Sequence, residues 1–140
     1  MKSAARLALL LFAAAAAGCD SPREPLDRHA LSNAAKSLAS LSAEAAMLTE
    51  QLRSHNVTQA FALVHEDALQ QESLKVARQL AQAVPQDLHS AHQRALALNA
   101  RLQTGLGQIG SAPGQSAQLA QLEQEFRRVK AEAQALELRP

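Results

Sequence analysis

Apolar residues recur along most of this chain at alternating intervals of three and four, the spacing that keeps them on one face of an α-helix. Leu31, Ala34, Leu38, Leu41, Ala45, Leu48 and Leu52 form one such series. They predict a helix from Asp27, a natural N-cap residue, to about Ser54. Leu88, Ala91, Ala95, Leu98 and Leu102 predict a second clean seam, on a helix from Pro85 to about Thr104. Leu119, Leu122, Phe126, Val129, Ala133 and Leu136 predict a third, over residues 115–138. The stretch 57–84 is helical in composition but less regular, with Phe61, Val64, Ala68, Val76, Leu80 and Ala83 broadly sharing a side. His65 and Glu72 project near the middle of that side. The pattern reads them as a polar pair that bonds across the core and fixes helix register.

The breaks between these stretches are short. His55-Asn56 offers Asn56 as an N-cap with Gln59 in the capping-box position, and Pro85 closes the second helix. Only Gly105 to Gly114, GLGQIGSAPG, reads as a real loop. Its glycines match a GxGxxG spacing, but a helix precedes them where a phosphate-binding loop needs a strand. Four helices with such connections must run antiparallel to their neighbours. The expected fold is therefore all-α, an up-down four-helix bundle over residues 27–140. The competing architecture is a long helical hairpin that completes its core by dimerising.

The other apolar feature is continuous and not periodic. Lys2 and Arg6 precede an unbroken run from Leu7 to Ala17, a charged start and short apolar middle that mark an export signal. Eleven residues of helix cover only about half of the ~30 Å hydrocarbon core, so the run is not a stable membrane span. It ends in Ala16-Ala17-Gly18-Cys19, which resembles the lipobox of bacterial lipoproteins. The resemblance implies a signal peptide, residues 1–18, removed before Cys19, and acyl chains such as palmitate on that cysteine. The protein would then be membrane-attached through lipid and face the periplasm. In enteric bacteria the following Asp20 resembles an inner-membrane retention signal, but other lineages read other residues, so the choice of membrane stays open. Cys19 is the only cysteine, which independently excludes an intramolecular disulfide. Residues 19–26, with Pro22 and Pro25, form a short extended tether.

Without residues 1–18 the chain carries 12 basic and 13 acidic side chains, a net charge of −1, and two aromatics, Phe61 and Phe126. Neither phosphate neutralisation nor base stacking is supported, so no nucleic-acid partner is expected. There is no GxSxG serine and no zinc-protease motif; neither an enzyme nor a cofactor is expected. The five histidines raise a metal question. In an up-down bundle the starts of the first and third helices share an end, which gathers His29, His89 and His92, with Asp27 and Asp87 nearby. Imidazoles so placed could take a borderline cation. The leading expectation is a lipid-anchored, periplasm-facing helical protein that binds another cell-envelope protein in an assembly or adaptor role. Its partner helix would lie in a groove lined by side chains such as Met47. Small lipoproteins that act as assembly factors or pilotins of secretion machinery are similar in size and helical content. The alternative expectation is a metal- or small-ligand-binding envelope sensor or carrier built on the histidine cluster.

Overall fold

A computed structural model describes residues 25–112 and 114–136. Cys19 and the apolar run before it lie outside the described residues. The chain forms four α-helices: α1, Arg28–Arg53; α2, Gln59–Leu80; α3, His89–Ile109; and α4, Ser116–Ala135, with a 3₁₀ turn at Gln86–Leu88 before α3. Each helix packs on the next in sequence, and α4 returns to α1. The fold is an antiparallel four-helix bundle, as the three seams predict. Contacts between α1 and α3 close one diagonal, leaving α2 and α4 on the outer corners.

α1 is the central helix because two of its faces are buried. The predicted seam, from Leu31 to Leu48, faces the core. A second stripe of small residues, Ala35, Ala39, Ser42, Ala46 and Thr49, is also buried. Its line continues to Arg53, which pairs with Glu123 of α4 at 3.1 Å. Small side chains on that line let the two backbones approach, and α1–α4 is accordingly the most extensive helix pairing. Charges close its rim. Arg127 reaches Glu123 at 2.8 Å, the i,i+4 pair visible in the sequence, and Glu50 at 3.4 Å.

The helix ends follow local chemistry. Asp27 caps α1 as expected, accepting from the Ala30 N–H at 2.7 Å. At the other end His55 adopts φ 57°, the Asn56 N–H donates to the Gln51 carbonyl and the His55 N–H to that of Leu52. These two bonds make a Schellman closure, with His55 in the left-handed position glycine usually takes. Asn56 therefore closes α1, and it is Thr58 that caps α2, accepting from the Phe61 N–H.

Further boundaries differ from expectation: α2 ends at Leu80, short of Pro85, and α3 begins at His89 after the 3₁₀ turn. The helix expected to stop near Thr104 continues to Ile109, because Leu106 and Ile109 extend the buried seam by two steps. Burial of two large side chains outweighs the roughly 1 kcal/mol that each helical glycine costs. Gly105 even serves the packing, since a Cβ there would stand 2.7 Å from the Phe126 ring. Leu26, assigned to the tether, is 3% exposed, and its N–H donates to the Ala83 carbonyl. The folded part thus begins one residue earlier than the pattern suggested.

Candidate docking face

The largest departure from the sequence pattern is the phase of α2. Its buried residues are Ala62, Leu69, Ser73, Val76 and Leu80. Of the six residues expected to face inward, only Val76 and Leu80 do. Phe61, Val64, Ala68 and Ala83 are all exposed. The physical reason lies in size and polarity. The inward positions are partly small, and Ser73 is tolerated there because its hydroxyl donates to the Asn99 side chain of α3 at 3.2 Å. The large apolar side chains at Phe61 and Val64 are left for the outside.

This rotation separates the polar pair expected in the core. His65 does not meet Glu72. Its Nε2–H donates to Glu44 of α1 at 2.9 Å, and its ring stacks on Phe61 with centroids 5.8 Å apart. Glu72 instead pairs with Lys75 on the exposed side of α2. His65 and Glu44 are both partly exposed, so the contact orders the surface of the α1–α2 groove and not the core.

Around that contact lies an apolar patch. Met47 is one turn beyond Glu44 on the same flank of α1, and Phe61 is one turn before His65 on the same flank of α2. Because the helices are antiparallel, both steps run the same way along the bundle and bring Met47 and Phe61 to one level. Val64 and Ala68 continue the stripe along α2. Val64 is 74% exposed, Met47 57% and Phe61 54%. Single exposed apolar residues are ordinary, and these exposed ones on two neighbouring helices make the α1–α2 face the candidate surface. Met47 is exposed, as its expected place in a groove for a partner helix requires. Phe61 and Val64 were missed as surface residues because large apolar side chains on an amphipathic helix are read as core.

The histidine pole forms only in part. The starts of α1 and α3 do meet, since Arg28 pairs with Asp87 at 3.3 Å. His29 and His89 are nevertheless exposed, whereas His92 is buried and donates from Nε2 to the Leu80 carbonyl at 2.6 Å. That bond fixes the tautomer and leaves Nδ1 buried without a partner. Asp27 is engaged as the cap of α1 and Asp87 by Arg28. Among the described residues no group of three His, Cys, Asp or Glu is placed to hold a metal. The expected ligand set of His29, His89 and His92 is therefore corrected: His92 closes the end of α2 instead. The GxGxxG glycines Gly105 and Gly107 lie within α3 and form no loop.

Two charged groups depart from their ordinary behaviour. Burial raises the Glu66 carboxyl above the usual glutamate range. Gln70 and the Gly110 backbone offset part of this, yet neither reaches Oε2 in hydrogen-bond geometry. On the opposite side, the hydrogen bond that Arg101 donates to Glu132 leads in raising its guanidinium, and Glu125 adds to it. Arg101 lies in an open groove between α3 and α4 with Arg94, Leu98 and Leu136. Its charge is thus already matched by the bundle itself.

No family model, curated protein or solved structure matches this chain.

Proposed function

We propose that this protein is a lipoprotein of the bacterial envelope, anchored through Cys19 and facing the periplasm, whose helical bundle serves as a docking module for another envelope protein. The reading is non-enzymatic. The observation that carries it is the placement of spare apolar surface relative to the anchor. α1 starts at Arg28, and Met47 lies 19 residues along it, about 29 Å away at 1.5 Å per residue. The segment from Cys19 to Pro25 spans at most about 25 Å fully extended. A lipid on Cys19 would hold the start of α1 near the bilayer, and a bundle standing upright on it would present the patch at the far end. The α1–α2 surface supports the same orientation. Arg28, Lys36, Lys75 and Arg78 lie toward the tether end of these two helices. Among the described residues no helix is long and apolar enough to cross a membrane, so attachment rests on the acyl chains.

The metal-carrier alternative lacks a convergent ligand set on which to rest. Metabolic labelling with an alkyne fatty acid tests the anchor. The wild-type chain should be tagged and recovered with membranes, while Cys19→Ser should be untagged and released. Equal tagging of both chains would refute the assignment.

A further inference from the structure

We infer that the tether end of the bundle is a binding face for anionic phospholipid headgroups, held to them by Lys36, Arg78, Arg94 and Lys130. The inference rests on the anchored-lipoprotein reading and deepens it. The acyl chains would fix the protein to a membrane; this face would set which lipids it touches and which way the bundle stands.

The charges of the described residues balance in number but not in place. There are ten basic and ten acidic side chains, with histidines counted as neutral. Dividing each helix at its midpoint separates them. The tether half, with Asp27 and Asp87 at its helix starts, holds eight basic and four acidic groups, a net charge of +4. The far half holds Arg53 and Arg101 against Glu44, Glu50, Glu66, Asp67, Glu123 and Glu125, a net charge of −4. Residues 19–24 and 137–140 add three acidic and two basic side chains, which lowers the total by one.

Ion pairing does not erase this polarity. Arg28 is matched by Asp87 and Lys75 by Glu72. Arg127 and Arg128, next to the midpoint of α4, lean to Glu123 and Glu125. Lys36, Arg78, Arg94 and Lys130, one on each helix, enter no ion pair among the described residues. Of the four acids in that half, Glu132 is held by Arg101 and Asp27 by its capping bond. The first three of these cations are exposed and Lys130 is half-buried. Each lies within eight residues of its helix end at this pole, about 12 Å along the axis.

The anchor selects the polyanion. A short tether would keep headgroup phosphates next to this pole at high local density, and basic groups beside a lipid anchor are the second signal that strengthens attachment. The acidic half would be repelled by the same surface, so both halves turn the bundle upright. That posture presents the α1–α2 face away from the bilayer.

Thiol protection on the full lipidated chain tests this. With Cys19 acylated, Gln79→Cys at the tether end of α2 and Gln59→Cys at its far end each carry a single thiol, and both positions are exposed. The reagent is a maleimide on polyethylene glycol, uncharged and too large to pass beneath a seated bundle. The chain is placed in vesicles of phosphatidylcholine alone or mixed equally with phosphatidylglycerol. Modification at 79 should slow about fivefold in the anionic vesicles and be unchanged at 59. The protection should vanish in about 1 M salt, where the screening length is about 3 Å. It should vanish as well in Lys36→Gln/Arg78→Gln/Arg94→Gln, whose melting curve should match wild type. Equal rates in the two lipids would overturn the headgroup face, and flotation with neutral vesicles would show that the anchor reading survives. Protection at 59 instead of 79, or protection that withstands salt and the triple variant, would overturn the inference too. Protection at 79 that appears only on adding envelope proteins would give this end to an acidic protein and overturn it likewise. A second reactive thiol, with no flotation on neutral vesicles, would refute the anchor itself.

Discussion

α2 and α4 occupy the two outer corners of the bundle, yet they divide their apolar side chains in opposite ways. α4 turns Leu119, Leu122, Phe126, Val129 and Ala133 inward. Its carboxylates Glu123, Glu125 and Glu132 are all paired with arginines. α2 buries Ala62 and Ser73 among its five core residues and leaves Phe61, Leu63, Val64 and Leu74 exposed. One helix spends its large side chains on folding. The other folds with small ones and keeps the large ones in solvent, an arrangement that stability alone does not call for.

α3 lies between the two corners and reports on both. Gly105 abuts the buried Phe126 ring of α4, and a Cβ there would meet it at 2.7 Å; at Gly107 the nearest atom is Gln70 Nε2 of α2, at 3.7 Å. Gly105→Ala should therefore destabilise, with overpacking of about 1–3 kcal/mol exceeding the helix-propensity gain. Gly107→Ala, in the same helix but with room, should stabilise by about 0.5–1 kcal/mol. Urea unfolding of both variants checks the contrast. Equal effects would mean the two sides of α3 are packed alike.

A smaller effect is expected at Glu66. Its carboxyl is raised by burial, so the folded state favours the protonated form. The stability this group contributes is full below its unfolded titration range and is lost as pH rises through the folded one. Glu66→Gln should raise the melting temperature at pH 7, with the gain shrinking toward pH 4. A gain that grew on acidification would show that α2 holds this carboxylate as α4 holds its own.

The seams of α1, α3 and α4 were legible because large apolar residues recur there at helical spacing and nothing on the opposite faces competes. α2 was not, and the reason is specific. Ala62 and Ser73 carry little hydrophobic signal, while Phe61 and Val64 carry much, so the pattern points outward by about a quarter turn. The continuation of α3 past Gly105 was hidden by the glycines, although Leu106 and Ile109 kept the seam's rhythm. His92, Asn99 and Ser73 are polar in sequence and buried in the fold. Their partners, the Leu80 carbonyl for His92 and each other for the remaining two, belong to other segments of the chain. The apolar surface at Met47 could be anticipated, but its neighbours on α2 required the helix phase.

The central claim is that the large apolar side chains on the outer face of α2 are spare to the fold, and urea unfolding of Phe61→Ser/Val64→Ser beside Phe126→Ala tests it most directly. The double variant should unfold within about 1 kcal/mol of wild type, as exposed substitutions do, while loss of the fully buried Phe126 ring should cost about 3–5 kcal/mol. A double variant destabilised by a comparable amount would place Phe61 and Val64 in the core and remove the docking face.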